Sequence, residues 1–214
     1  VDNLVDGSFF NSGQSCCGIE RSYVDEKIDN SFLELFISKT YNYKLGNPLE
    51  QENNLGPVVK LSAAEFIINQ MNKALDKGAK KMIDENKFHF PKEHKNYLVP
   101  QILTNVTHEM DFMTEETFGP CVGIMKVSDE NEAVKLMNDS PYGLTASIWT
   151  KDLEIAEKIG NQVQTGTFFM NRCDYLDPAL SWTGVKETGK GCSLSEIAYE
   201  KLTAPKSFHL RKGQ

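Results

Sequence analysis

Between Cys121 and Asn171 three apolar runs alternate with two amphipathic ones. Cys121-Val122-Gly123-Ile124-Met125-Lys126-Val127 reads as a buried strand. Asp129 to Met137 reads as a helix, Leu144 to Trp149 as a second strand, and Asp152 to Ile159 as a second helix. Gly166 to Asn171 is a third strand. Strands joined by short connections through helices predict an α/β fold, with a parallel-sheet core and flanking helices. The chain has 214 residues, 40% of them hydrophobic, which suffices for such a core and argues against general disorder. There is no repeat, low-complexity run or internal linker, so one domain is expected.

Upstream, Val1 to Phe10 carries apolar residues at helical spacing and enters a polar turn, Asn11 to Gly18. Arg21 to Val24 reads as a strand, and Asp25 as the cap of a helix from Glu26 to about Lys39, with Ile28, Phe32, Leu35 and Phe36 on its inner face. Ser62 with Glu65 reads as a capping box for a helix whose apolar face holds Phe66, Ile67, Met71, Ala74 and Leu75 and which stops at Gly78. Lys80 to Ile83 is a candidate strand and Glu85 to Lys95 an exposed polar loop. Leu98 to Leu103 is extended, with Pro100 placing it near an edge or a bulge. After Asn171 come a polar loop, a glycine-rich stretch from Trp182 to Gly191, a short helix from Ser195 to Leu202 and a terminal strand from Pro205 to Arg211.

The formal net charge of -7 argues against nucleic acid or an anionic membrane as partner. No apolar run approaches the ~20 residues of a membrane span, and no secretory leader is visible. The 5 cysteines form no Cys-x-x-Cys and have no metal-ligand spacing, so no metal is expected and a reducing, cytoplasmic setting is. The chain opens at Val1 without an initiator Met, which suggests a piece of a longer protein.

Two stretches carry chemistry. In Phe9-Phe10-Asn11-Ser12-Gly13-Gln14-Ser15-Cys16-Cys17-Gly18, paired cysteines sit in a glycine-bracketed turn. They are either small core residues or a reactive thiol whose thiolate the turn N–H groups favour. In Glu115-Glu116-Thr117-Phe118-Gly119-Pro120, adjacent acids precede a buried strand. They are either a solvated surface pair or a ligand for ribose hydroxyls. His89, His94 and His108 fall in polar loops and His209 lies near the end. A Cys–His hydrolase would need one of them packed on Cys16. Phe168-Phe169-Met170 reads as sheet core.

The phrase Phe-Phe-Asn-x-Gly-Gln-x-Cys, followed by Arg21, resembles the nucleophile segment of the aldehyde dehydrogenase superfamily. Glu-Glu-x-Phe-Gly-Pro at 115–120 is similar to that family's cofactor phrase. Asn138-x-x-x-Tyr142-Gly143-Leu144, Gly166-Thr167 with Asn171, and Gly184-x-Lys186-x-Thr188-Gly189-x-Gly191 resemble three more of its stretches, in the same order. The resemblance implies that Cys16 is the nucleophile, that Glu116 binds the nicotinamide ribose, and that Phe118 packs near the nicotinamide ring. It implies NAD as cofactor, with NADP possible. It also implies oxidation of a small-molecule aldehyde to a carboxylic acid, through a thiohemiacetal and a thioester on the cysteine. Residues 1–204 would be the catalytic domain, without its N-terminal cofactor domain, and 205–214 an oligomerisation strand of a homo-oligomer.

Departures are visible too. The family's Leu-Glu-Leu-Gly-Gly phrase, which carries its general base, is absent, as is its glycine-rich cofactor helix. The chain alone is therefore expected to be inactive as a dehydrogenase. Trp182-Thr183 stands where Phe-Gly is more common, and Asp174-Tyr175-Leu176-Asp177 indicates no particular aldehyde. A thiol hydrolase and a non-catalytic interaction domain remain as alternatives.

Overall fold

The computed structural model describes residues 1–90 and 93–213. In chain order its elements are α1 (Asp2–Phe9), β1 (Arg21–Asp25), α2 (Asp29–Thr40), α3 (Leu61–Asp76), β2 (Lys80–Lys81), β3 (Gln101–Thr104), α4 (Asp111–Thr114) and β4 (Cys121–Val127). There follow α5 (Glu130–Asn138), β5 (Tyr142–Gly143), β6 (Thr145–Ile148), α6 (Leu153–Gly160), β7 (Thr167–Met170), β8 (Val185–Lys186) and α7 (Ile197–Leu202).

The main sheet has the order β1-β4-β3-β2. β4 pairs in parallel with β1 and with β3, and β2 adds an antiparallel edge. A strand with neighbours on both sides and layers on both faces must be apolar almost throughout, and β4 is buried from Cys121 to Ile124. Alternate side chains serve opposite layers. Ile102, Val122 and Ile124 pack with Leu4, Val5, Phe9 and Phe36 from α1 and α2. Leu103 and Cys121 pack with Ala64, Ile67, Met71 and Ala74 from α3 and with Phe112 and Met113 from α4.

The expected alternation β4–α5–β6–α6–β7 is present, but it does not build one continuous sheet. Both edges of β4 are taken by β1 and β3. β6 and β7 pair in parallel as a sheet of their own, over a smaller core of Val134, Ala146, Ile159 and Val163. Both helices start one residue after the expected first residue, which serves as the cap. Asp129 accepts the N–H groups of Asn131 and Glu132, and Asp152 accepts that of Ile155.

Other elements differ from expectation. Asp25 does not cap α2; its carboxylate accepts the Lys27 N–H in a turn, and the helix starts at Asp29. Ile28 and Leu35 are consequently exposed while Phe36 is buried. α3 starts at Leu61 after Lys60, with no side-chain cap from Ser62, and Phe66 faces outward. Gly78 does end this helix region, with a φ of +103°. The strand expected over 80–83 covers only Lys80–Lys81. Pro100 lies just before β3, an interior strand, so its missing N–H costs no ladder bond. Of the loop expected over 85–95, residues 91 and 92 lie outside the described residues.

The terminal segment is the largest difference. Residues 203–213 form no strand in the single chain and are exposed throughout; Gln214 lies outside the described residues. Strand hydrogen bonds need a partner edge, and no strand among the described residues pairs with this segment.

Candidate active site

β1 and β4 are adjacent and parallel, with Arg21 opposite Gly123. The segments that enter the two strands therefore lie side by side. One is the cysteine turn and the other is Glu115–Pro120. Topology alone brings together two motifs separated by a hundred residues.

The cysteine turn has an unusual backbone. Asn11, Ser12 and Gly13 have φ of +50°, +58° and +69°, three consecutive left-handed residues. Left-handed conformations cost non-glycine residues about 1–2 kcal/mol each and persist only where surroundings over-determine them. Here the surroundings are specific. The buried Ser12 Oγ donates to the Gly56 carbonyl at 2.6 Å. Asn11 Nδ2 donates to the Gln14 carbonyl at 3.1 Å, and Gln14 Nε2 returns a bond to the Asn11 carbonyl at 2.9 Å. Gln14 Oε1 also accepts the Val59 N–H at 2.8 Å. Ser12 and Gln14 thus dock the turn onto the Gly56–Val59 loop. Gly13 docks it onto the second motif: a Cβ at this position would overlap the Gly119 carbonyl.

The two cysteines have opposite environments. Cys16 is exposed at the tip of the turn, and its N–H donates to no acceptor among the described residues. Cys17 is buried, and its Sγ donates to Asp174 Oδ1 at 2.8 Å. Burial first, and the Asp174 carboxylate second, push the Cys17 thiol up to about 12. Ser15 Oγ donates to the same Asp174 oxygen at 2.9 Å. Asp174, in the loop after β7, is thereby fixed against the cysteine turn. Among the described residues no histidine is a hydrogen-bond partner of this turn. His108 is engaged elsewhere, with Nε2 at 2.8 Å from the Tyr23 hydroxyl and Nδ1 at 2.9 Å from Asp139.

In the second motif Glu115 and Glu116 are exposed, Thr117 is buried, and Phe118 is 41% exposed in a left-handed conformation, φ +53°. Glu116 and Phe118 line an open cleft of about 370 Å³ together with Gln14, Lys60 and Phe66. Beneath the turn lies Glu20, which sequence reasoning passed over. Its carboxylate accepts the N–H of Phe118 at 2.8 Å and that of Thr117 at 3.0 Å. Burial raises the Glu20 pKa, against the opposing pull of these two peptide groups.

The other recurring stretches are architecture. Asn138 bonds through both side-chain atoms to Gln162 and Gln164, ahead of β7. Asn171 clamps both backbone groups of Thr150. Lys186 Nζ donates to the carbonyls of Asn138 and Ser140, and Thr188 Oγ1 accepts the Gly143 N–H. Phe168 and Met170 are half-buried and help line a groove beside α6, so they belong only partly to a core. Among the described residues no cluster of three or more potential metal ligands occurs, and no helix is long and apolar enough to cross a membrane.

Comparison with known proteins adds to this geometry. The profile of the aldehyde dehydrogenase family matches residues 1–208. An aldehyde dehydrogenase of Emericella nidulans is 33% identical over 220 aligned residues, covering 100% of this chain and 43% of that protein. The Escherichia coli succinate semialdehyde dehydrogenase [NAD(P)+] is 34% identical, covering 94% of this chain and 43% of that protein. Among solved structures, betaine aldehyde dehydrogenase of Staphylococcus aureus in complex with NAD+ matches with a TM-score of 0.86 at 28% identity, over 94% of this chain and 40% of that one. Aldehyde dehydrogenase 21 of Physcomitrella patens, in complex with the reaction product succinate, matches with a TM-score of 0.85 at 31% identity, over 93% and 40%. The chain spans less than half the length of these relatives.

Proposed function

Because the chain belongs to the aldehyde dehydrogenase family, we propose that it carries the nucleophile and the nicotinamide-side contacts of an NAD(P)-dependent oxidation of aldehydes to carboxylic acids. The observation that carries this reading is the direct packing of the exposed Cys16 turn on the Glu116–Phe118 turn, through Gly13 and Gly119.

The residues present fit half of a dinucleotide. The cleft of about 370 Å³ is at the small end for ligand sites, enough for a nicotinamide and its ribose but not for the whole cofactor. The Glu116 carboxylate would accept the ribose hydroxyls, and the exposed Phe118 ring would pack on the nicotinamide. When bound, NAD would supply the hydride acceptor.

Cys16 would do the covalent work. Its thiolate adds to the aldehyde carbonyl, giving a thiohemiacetal whose oxyanion can take the Cys16 N–H. Loss of hydride leaves a thioester, and water releases the acid. Release needs a base, and the phrase that carries it in the family is absent from these 214 residues. Asp174 would keep Cys17 a buried thiol beside the nucleophile, so that one sulfur alone reacts.

The test is aldehyde-dependent reduction of NAD by the full-length protein, with Cys16→Ser and Cys17→Ser compared. Cys16→Ser should lower turnover by about 10³-fold or more, as removal of a nucleophile does. Retention of turnover in Cys16→Ser would refute the assignment.

A further inference from the structure

We propose that Glu20 is a positioning residue for the cofactor turn: its carboxylate holds the Thr117 and Phe118 peptides and so sets how Glu116 and Phe118 are presented. This rests on the reading of Glu116 and Phe118 given above.

The geometry is that of an anion gripped by consecutive peptide N–H groups. Glu20 Oε1 accepts from Thr117 at 3.0 Å and from Phe118 at 2.8 Å, and Oε2 lies 3.1 Å from the Thr117 N–H. Bonds from N–H to an ionised acceptor are stronger than neutral ones. A turn needs such a hold here, because an aromatic residue at φ +53° is strained when left to itself. Gly13 alone would not supply it, since the atoms nearest to it across this contact belong to Gly119 and Pro120, past Phe118 in the chain.

Glu20 is also well placed to relate the two motifs. It stands four residues beyond Cys16, and its own carbonyl accepts the Gly123 N–H at 3.0 Å, in the β1–β4 ladder. Its backbone is therefore fixed to the sheet while its side chain reaches back to the entry of β4. The neighbouring charges are Glu116, which disfavours ionised Glu20, and Arg21, which favours it; the buried Cys121 thiol is raised in part by Glu20. Replacing Glu20 should therefore alter the cofactor turn and leave the tip of the cysteine turn, which is held by Ser12, Gln14 and Asn11, in place.

The experiment uses the full-length enzyme with Glu20→Gln, Glu20→Asp and Glu20→Ala, and with Glu116→Gln and Phe118→Ala as references. KM for NAD, kcat, amide hydrogen exchange of the 115–120 peptide and the rate of Cys16 alkylation are measured. Glu20→Ala should raise KM for NAD about tenfold, the scale of lost charge-assisted hydrogen bonds, and speed exchange at Thr117 and Phe118. Cys16 alkylation should change by less than about twofold on that scale. Glu20→Gln is isosteric and keeps one acceptor oxygen, so it should fall between, which keeps the test open if Glu20→Ala folds poorly. If the reference variants raise KM and no Glu20 variant does, Glu20 is a structural staple only and the proposal is overturned. If the reference variants also leave KM unchanged, the cofactor reading of this turn falls, and the role of Glu20 falls with it.

Discussion

The Cα of Gly13 faces the carbonyl oxygen of Gly119 so closely that a methyl group at position 13 would overlap it. The contact joins the loop that carries Cys16 to the turn that carries Glu116 and Phe118. Gly13 also has a φ of +69°, which an L side chain adopts at a cost.

Gly13→Ala should therefore be destabilising on two counts. Forcing alanine left-handed costs about 1–2 kcal/mol, and overpacking a close contact costs about 1–3 kcal/mol. We expect a loss of about 2–5 kcal/mol in all, read as a lower urea midpoint at unchanged m. A shift below about 0.5 kcal/mol, the scale of a neutral surface change, would show that the two segments separate easily and do not form one site.

The cysteines should differ sharply in reactivity. Cys121 is buried, with its thiol pushed well above its usual range, chiefly by burial. Cys17 is raised to about 12 and Cys173 to about 11, each mainly by burial with a nearby Asp174 carboxylate adding to it. Brief iodoacetamide treatment near neutral pH should then label the exposed Cys16 first. Asp174→Asn removes the largest influence after burial that holds Cys17 as a thiol, so labelling of Cys17 should rise in that variant. Peptide mapping that finds all five cysteines equally labelled in the folded protein would contradict this.

How much of this was legible in the sequence depended on whether the signal was local. β4 announced itself because a strand covered on both faces is apolar at nearly every position. The starts of α5 and α6 were legible to within one residue because their signal is local: Asp129 and Asp152, read as first helical residues, each bond N–H groups within the next three residues as caps. Asp25 misled for the same reason in reverse: its carboxylate was used two residues on, in a turn, and periodicity does not say which local bond wins. The separation of β6 and β7 from the main sheet could not be read at all, because no strand sequence names its neighbour. Glu20 is the clearest case. As the fourth residue after Cys16 it looks like any surface acid, and it acquires a function only once β1 and β4 pair and bring residues 117 and 118 over it.

Glu20 also gives a pH dependence of fixed sign. Burial raises its pKa above the ordinary 4.5, so the folded chain keeps this proton at a pH where the unfolded chain has lost it. Between 4.5 and the raised value the folded state binds more protons, and stability falls as pH rises through that window. Glu20→Gln has nothing to titrate there and should flatten this part of the profile. Urea midpoints from about pH 4.5 to about pH 7, spanning the range in which a raised carboxyl titrates, provide the comparison. Parallel profiles for the two proteins would mean that the carboxyl titrates as it does in the unfolded chain.

The terminal segment makes the last prediction. Phe208 and Leu210 are 70% and 88% exposed, and they alternate with Ser207, His209 and Arg211 as one face of a strand would. The described residues of the single chain leave them largely uncovered, and an uncovered apolar edge is a template for pairing. Pairing with the same segment of a second copy would give a two-fold dimer and shelter both side chains. Fully burying Phe or Leu contributes about 1.5–3 kcal/mol each, against several kcal/mol of lost rigid-body freedom, so the association should be weak, micromolar at best. Sedimentation equilibrium at tens of micromolar, about the dissociation constant inferred from these terms, should show a monomer–dimer equilibrium for the 214-residue chain. The chain ending at Ala204 should be monomeric under the same conditions. Two monomers would refute the terminal strand as a self-association element, and a dimer that survives truncation would move the contact to another face, such as the groove lined by Leu153, Phe168 and Met170.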